Sequence, residues 1–234
     1  MNNFPIGIFD SGVGGLSVLN QCKKLLPDEN FVYVFDRSHA PYGNKSDDEI
    51  KTCVLAVAKK LENLHCKAIV AGCNTASETA MSMLRKKIGV PVIGVYPPIV
   101  IAAEKCADGK ALVLCTAATA RQKNFMFACS RAGKDKIIVS PQRLLASEIE
   151  KNFENIERVK PLLYAELERY DNVRSVSLGC THYYFVKKMI EEFYGGKVPV
   201  FSSEKGAAKR LKRVIAAKNM ASDGSERSTR FIFT

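Results

Sequence analysis

The sequence predicts an α/β fold with mostly parallel β-sheets, and two observations lead to that prediction. Short runs rich in β-branched and aromatic residues alternate with longer segments in which apolar residues recur every three or four positions. Polar clusters follow the ends of several of the short runs. Strands that alternate with amphipathic helices form parallel sheets covered by helices, and ligands of such folds bind at the carboxyl ends of the strands.

The predicted elements follow one another in regular alternation. Strands are expected at residues 5–9, 31–35, 68–71, 92–95, 111–114, 137–139, 173–178 and 198–201. Helical patterns cover residues 14–26, 46–64, 75–87, 98–107, 119–131, 142–170 in two pieces, 182–194 and 204–219. These helical segments supply the crossover connections that parallel strands require.

Composition is that of a globular protein. A hydrophobic content of 47% over 234 residues is enough for a sizeable core. No apolar segment approaches the roughly 20 residues that cross a bilayer, and residues 1–4 lack the basic and apolar parts of a signal peptide. We therefore expect a cytoplasmic protein without membrane contact, whose 8 cysteines are reduced thiols. No two cysteines have a C-x-x-C spacing and the 3 histidines are scattered, so a metal site is not expected.

The net charge of +11 is the unusual feature of the composition, and its field would attract anionic ligands. The cations are densest at residues 85–87 and 205–213. Neither cluster contains the interleaved aromatic residues of a single-strand binding platform. We interpret both as solvated helix faces, and nucleic-acid binding is not expected.

Polar clusters at the predicted strand ends mark the place where a cleft would form. Asp10 and Ser11 precede a Gly-Val-Gly-Gly loop, and Pro41-Tyr42-Gly43 follows the second strand. The glycine loop could bind an anion at a helix start. Each cluster also has a purely structural interpretation: the glycine loop is a tight turn with Asp10 as a cap, and Pro-Tyr-Gly alone is a turn signal. Nucleotide binding is not favoured, because the loop lacks the Lys-Ser/Thr of a P-loop and the third glycine of a dinucleotide fingerprint.

Two cysteines stand in matching settings at predicted strand-to-helix turns. Cys73 lies between Ala-Gly and Asn-Thr, and Cys180 lies between Leu-Gly and Thr-His. A free cysteine is often a small buried hydrophobe, but a helix N-terminus lowers the pKa of a thiol from about 8.5. Moving a proton from one face of a carbon to the other requires an acid/base group on each side. The pair therefore indicates a cofactor-free racemase, with His182 as a candidate proton partner of Cys180.

Four sequence blocks contain these clusters. They are Ile6-Gly-Ile-Phe-Asp10-Ser11-Gly-Val-Gly-Gly-Leu16, Pro41-Tyr42-Gly43-Asn-Lys-Ser46, Cys73-Asn74-Thr75-Ala-Ser77 and Leu178-Gly-Cys180-Thr181-His182-Tyr183. With these blocks in order, nearly the whole chain resembles the glutamate racemase family of aspartate/glutamate racemases. The resemblance implies two similar α/β lobes with the substrate between them, one catalytic cysteine from each lobe, and neither pyridoxal phosphate nor metal as cofactor.

The resemblance also assigns roles to individual residues. Cys73 is expected to act on the D-isomer and Cys180 on the L-isomer, assisted by Asp10 and His182, with Glu148 near the second thiol. The substrate-binding positions that match the family are Asp10, Ser11, Pro41, Tyr42, Gly43, Asn74, Thr75, Thr116, Thr119, Thr181 and His182.

The resemblance further implies the organisation and setting of the protein. We expect residues 1–95 with 208–234 to form the first lobe and residues 96–207 the second, because the C-terminal helix and strand return to the first lobe. A homodimer that interconverts L- and D-glutamate would supply D-glutamate for peptidoglycan synthesis in a bacterial cytoplasm.

Two alternatives stay open from the sequence. The substrate could be aspartate or another amino acid, since a difference of one methylene in pocket length is worth only about 1 to 3 kcal/mol. The chain could also be a catalytically weak binding protein of the same fold. Its positive charge favours that alternative, as does Ser140-Pro141-Gln142-Arg143, which stands where the family usually has cysteine-proline and apolar residues.

Overall fold

A computed structural model describes residues 2–225 and 227–234 of the chain. The strands are β1 (Ile6–Asp10), β2 (Phe31–Phe35), β3 (Ala68–Ala71), β4 (Val92–Gly94), β5 (Lys110–Thr116), β6 (Ile137–Gln142), β7 (Val173–Gly179), β8 (Val200–Phe201) and β9 (Thr229–Phe233). The α-helices are α1 (Leu16–Leu25), α2 (Asp47–Asn63), α3 (Asn74–Lys87), α4 (Ile99–Glu104), α5 (Ala117–Ala120), α6 (Lys123–Ala132), α7 (Leu145–Lys151), α8 (Lys160–Leu167), α9 (Lys187–Phe193) and α10 (Glu204–Ala217). Segments of 3-10 helix cover Arg37–His39, Tyr42–Asn44, Lys134–Lys136, Phe153–Val159 and Thr181–Val186.

The strands pair into two parallel sheets. One sheet has five strands in the order β4-β3-β1-β2-β9, and the other has four in the order β6-β5-β7-β8. All of the strand pairs are parallel. Every residue of β1, β2 and β3 is buried, as expected for strands covered by helices on both faces. The α/β fold with parallel sheets predicted from the hydrophobic pattern is therefore confirmed.

The C-terminal segment lies against the first sheet. Helix α10 packs on α1, and its buried residues Ala208, Leu211 and Ile215 share a core with Val18 and Leu19. Strand β9 then extends the first sheet at its edge beside β2. The predicted boundary of the first lobe, residue 208, falls inside α10, which begins at Glu204.

Two differences from the predicted elements have physical causes. The C-terminal strand of the first lobe is predicted without bounds, because β9 lies at a sheet edge, where Phe231 and Phe233 are 50% and 57% exposed rather than buried in a core. The helical pattern of residues 142–170, predicted in two pieces, contains a 3-10 segment between them that includes Asn155, whose φ of −138° and ψ of 70° are not helical. It becomes α7, the 3-10 segment Phe153–Val159 and α8.

The strands of both sheets end beside the polar clusters found in the sequence. In the first sheet, Asp10 ends β1, and Cys73 follows β3 after one glycine. In the second sheet, Thr116 ends β5, and Cys180 directly follows β7. In residues 2–225 and 227–234, no helix combines the length and the apolar character needed to span a bilayer.

Candidate active site

A cavity of about 180 Å³ lies where the carboxyl ends of the two sheets meet. Its wall combines segments that follow strands of the first sheet with segments that follow strands of the second. The lining side chains are Ser11, Ala40, Pro41, Tyr42, Gly43, Asn44, Cys73, Thr75, Thr116, Gln142, Arg143, Ala146, Ser147, Glu150, Lys151, Cys180 and His182. Both cysteines of the matching motifs open into this one cavity.

Cys73 precedes the first turn of α3 and is buried, with 6% of its surface exposed. Burial raises the pKa of its thiol well above the ordinary value, and the negative charges of Asp10 and Cys180 add to the effect. Backbone N–H groups of Ala76 and Thr75 at the helix start act in the opposite direction, but they do not outweigh burial. The sequence predicts a thiol acidified by its helix. The structure instead gives Cys73 as a neutral thiol, because desolvation is the larger effect.

Cys180 has a histidine as its polar neighbour. Its sulfur lies 3.8 Å from Nδ1 of His182, and Nε2 of the same ring lies 2.8 Å from Oε2 of Glu150. Burial alone would lower the pKa of His182, but the hydrogen bonds with Cys180 and Glu150 raise it well above its ordinary value. The imidazole is thus held as a cation between a thiol and a carboxylate, in a position to exchange a proton with Cys180.

Glu150 completes this arrangement. Its Oε2 also accepts a hydrogen bond of 2.8 Å from the backbone N–H of Val13 in the glycine loop. Burial alone would raise the pKa of Glu150, but the hydrogen bonds from His182 and Val13 lower it. The carboxylate therefore stays ionised, fixes the orientation of the His182 ring and joins it to the first sheet.

Asp10 lies buried behind the wall, at the end of β1. Its Oδ2 accepts a hydrogen bond of 2.9 Å from the Thr181 hydroxyl, and its Oδ1 accepts one of 2.9 Å from the backbone N–H of Gly12. Burial raises its pKa to about 6, although the charge of His182 and these hydrogen bonds oppose the rise. A carboxyl group that titrates near neutrality can take up and release a proton under ordinary conditions.

Gly14 of the glycine loop lies too close to residues that follow the second sheet to be replaced by a residue with a side chain. A Cβ atom on Gly14 would lie 2.5 Å from Nδ1 of His182 and 2.6 Å from Oγ1 of Thr181. The first sheet also holds the loop, because the phenol of Tyr33 on β2 donates a 2.8 Å hydrogen bond to the carbonyl of Gly12. The glycine at position 14 is therefore explained by close approach to His182 and Thr181.

Three threonines connect the two sheets at the cavity. The hydroxyl of Thr75 on α3 lies 2.9 Å from that of Thr116 and 3.3 Å from that of Thr119. Thr116 also caps α5 by accepting from the backbone N–H of Thr119. The hydroxyls of Thr75 and Thr116 thus line the same cavity as the thiols, where they can donate to or accept from a polar ligand.

Tyr42 is fixed by a buried carboxylate. Its phenol donates a 2.5 Å hydrogen bond to Asp36, which also contacts His39 and the hydroxyl of Thr234. Burial and the neighbouring Asp36 carboxylate raise the pKa of Tyr42, so the ring stays neutral. Thr234 follows β9, so this C-terminal strand helps to place one wall of the cavity.

The structure brings most of the predicted site residues together. The wall contains Ser11, Pro41, Tyr42, Gly43, Cys73, Thr75, Thr116, Cys180 and His182, while Asp10, Asn74, Thr119 and Thr181 lie buried beside or behind it. The amide of Asn74 is buried, and neither its Nδ2 nor its Oδ1 has a hydrogen-bond partner among the described residues. An unpaired buried amide next to Cys73 is typical of a group that a polar ligand completes.

Glu148 is the predicted residue that the structure places elsewhere. Its side chain is 34% exposed and pairs with the exposed Lys151 at 2.9 Å, and it does not line the cavity. The cause is the phase of α7. Each of the cavity-lining residues 143, 146, 147, 150 and 151 has another member of the set three or four positions away, as residues on one helix face do, and residue 148 lies outside that stripe. The position near the second thiol that the resemblance assigns to Glu148 is thus occupied by Glu150.

Several wall residues are not among the predicted site residues. They are Ala40, Asn44, Gln142, Arg143, Ala146, Ser147, Glu150 and Lys151. The helical spacing from Arg143 onward could have identified the wall residues near α7. It does so only when one residue of the stripe is already known to face the cleft. Among residues 2–225 and 227–234, no three His, Cys, Asp or Glu side chains cluster in a way that could hold a metal ion.

Known proteins resemble this chain in sequence and in fold. The sequence model of the Asp/Glu/hydantoin racemases matches residues 6–211. The glutamate racemase of Clostridium acetobutylicum is 38% identical over 231 residues, which cover 97% of this chain and 90% of that protein. The solved glutamate racemase isoform RacE1 of Bacillus anthracis gives a TM-score of 0.86 at 28% identity, covering 100% of this chain and 90% of that one. The glutamate racemase of Francisella tularensis, solved in complex with D-glutamate, gives a TM-score of 0.83 at 28% identity, covering 100% and 89% of the two chains.

The resemblance that rests on four short sequence blocks is confirmed by a match that extends over most of the chain. Sequence, fold and the paired cysteines lead to the same conclusion. The chain belongs to the Asp/Glu/hydantoin racemase family.

Proposed function

We propose that this protein is a cofactor-independent glutamate racemase that interconverts L- and D-glutamate at the α-carbon. The observation that carries the proposal is that Cys73 and Cys180, which follow strands of different sheets, line one cavity. A thiol on each side of a bound carbon is what inversion by proton transfer requires. The choice of glutamate is supported by the similarity to glutamate racemases, one of which was solved with D-glutamate.

In the proposed reaction from L-glutamate, Cys180 as a thiolate removes the α-proton. The electron pair of the broken C–H bond moves into the α-carboxylate, and Cys73 as a neutral thiol gives its proton to the opposite face. The reverse reaction exchanges the roles, so that Cys73 acts on the D-isomer and Cys180 on the L-isomer. The burial that raises the pKa of Cys73 keeps it in the proton-donating form.

The neighbouring charges have roles suited to their positions. His182 lies next to Cys180 and can return its proton, and Glu150 holds the imidazole in place. Asp10, in the same buried network as Thr181, acts on the side of Cys73. Buried and preorganised groups stabilise charge that develops at the α-carboxylate more effectively than water does.

The substrate is held chiefly by uncharged donors in this proposal. Ser11, Asn74 and Thr75 stand on the side of the first sheet, and Thr116 and Thr181 on the side of the second. Hydroxyls and amides bind carboxylate and ammonium groups without competing for the transferred proton. The unpaired amide of Asn74 would gain its hydrogen bonds from the substrate.

The wider role follows from the same assignment. We propose that the lobes of residues 1–95 with 208–234 and of residues 96–207 enclose the substrate between them. The protein would act as a cytoplasmic homodimer, and its D-glutamate would enter peptidoglycan synthesis.

The first prediction tests the two thiols. Optical rotation followed over time, without added cofactor, should decay to zero from either L- or D-glutamate. The Cys73→Ser and Cys180→Ser variants should each lose on the order of 1,000-fold in rate, because each direction needs both groups. Faster decay with L-aspartate would reassign the substrate. Unchanged rotation with every substrate, in folded and reduced protein, would overturn the racemase assignment.

The second prediction compares two neighbouring glutamates of α7. Glu150→Gln should lower kcat on the order of 100-fold, because His182 loses the carboxylate that orients it and keeps it charged. Glu148→Gln should stay within about twofold of the parent, because an exposed ion pair contributes little. The measurement is the steady-state rate together with its pH profile, which only Glu150→Gln should shift. The opposite ranking of the two variants would contradict the assigned phase of α7.

The third prediction concerns pH. Asp10 is neutral below its pKa of about 6 and ionised above it, so kcat/KM should fall as the pH drops through about 6. In Asp10→Asn the remaining activity should lack this acid limb. Glu78 is the matched control, since it is buried with a pKa raised by burial to about 7 and does not line the cavity. A limb that disappears in Glu78→Gln but persists in Asp10→Asn would show that the titrating group is not Asp10.

A further inference from the structure

The cavity wall contains one cation without a partner in the described part of the chain. The ionisable side chains of the wall that carry formal charge are Arg143, Glu150, Lys151 and His182. Glu150 and His182 neutralise one another at 2.8 Å, and Lys151 pairs with Glu148 at 2.9 Å. The guanidinium of Arg143 forms neither an ion pair nor a hydrogen bond with any described residue. The positive charge of its guanidinium is therefore available to a ligand.

Arg143 stands at the mouth of the cavity rather than in its floor. It lies in the short connection between β6 and α7 and is exposed to solvent. It also lines an adjoining open recess with Gly43, Asn44 and Leu144. The recess lies between the segment that follows β2 and the start of α7. Arg143 therefore lies at the solvent-exposed opening between the two sides of the cleft.

The interior of the cavity contrasts with this mouth. The deeper groups proposed to hold the substrate are hydroxyls and an amide, and the charges of Glu150 and His182 in the same wall pair with one another. Glutamate brings two carboxylates and one ammonium group, so it enters with a net negative charge. A cation at the mouth of a cleft with low-dielectric walls attracts such a ligand, and a guanidinium pairs with a carboxylate through two parallel hydrogen bonds.

We propose that Arg143 is a substrate-binding residue that captures a carboxylate of the incoming dicarboxylate and so favours acidic amino acids over neutral ones. The inference rests on the proposed racemase function and deepens it. Among the described residues nothing requires an arginine at this position, because its side chain is exposed and caps no helix. Its charge is the property that matters in this account.

The test is steady-state racemisation of L- and D-glutamate at low and high ionic strength, with the parent and three variants. Arg143→Gln should raise KM about fivefold to tenfold at low salt while kcat changes by less than about twofold, and added salt should affect it less than the parent. Arg143→Lys keeps the charge and should recover most of the loss. Lys209→Gln removes the same charge from an exposed position on α10 and should match the parent.

A second readout separates charge recognition from a general change of shape. Competitive inhibition by glutarate, a dianion, should weaken in Arg143→Gln, whereas inhibition by its monoamide should change less. A parent that racemises glutamate, with Arg143→Gln and Lys209→Gln indistinguishable in KM and salt dependence, would overturn this inference and leave the racemase assignment intact. A folded parent that does not racemise glutamate would overturn the proposed function and this inference together.

Discussion

Inversion of a carbon by proton transfer requires two acid/base groups that approach it from opposite sides, and the proposed racemase function depends on this requirement more than on any other. A single parallel sheet presents its strand ends along one edge, so two opposed groups are most simply supplied by two sheets whose carboxyl ends face each other. The structure meets the requirement with Cys73 after β3 and Cys180 after β7. The hydroxyl of Thr75 joins the two sides through hydrogen bonds with Thr116 and Thr119.

The electrostatics of the site follow from the burial that this arrangement imposes. Taking Asp10, Cys73 and His182 out of water would suppress every charged form, and the raised pKa values of Asp10 and Cys73 reflect that. His182 stays charged because the Glu150 carboxylate and the Cys180 sulfur are on either side of its ring. The site thus holds one neutral thiol and one thiol beside a cation, an asymmetry that suits opposite protonation states in one catalytic cycle.

The sequence predicts a large part of this arrangement. Strand-end motifs such as Cys73-Asn-Thr and Cys180-Thr-His can be recognised from the sequence, because each combines a local turn signal with polar residues after an apolar run. Glu150 cannot be recognised in the same way, because its position depends on which face α7 turns toward the cleft. Glu148 is equally compatible with the sequence pattern. The neutral state of Cys73 depends on the summed burial by both sheets, which no local motif encodes. Tertiary packing therefore decides that Glu150 rather than Glu148 faces the cavity, and it decides that the Cys73 thiol is neutral.

The central claim is that two different groups act on opposite faces of the α-carbon, and isotope incorporation tests it most directly. L-Glutamate is incubated with the protein in D₂O, and both enantiomers are isolated at low conversion. The account predicts one deuterium at the α-carbon of the D-glutamate formed, while the remaining L-glutamate keeps its proton. Retention of the original proton in the D-glutamate, or equal labelling of both enantiomers from the start, would indicate a single base and contradict the account.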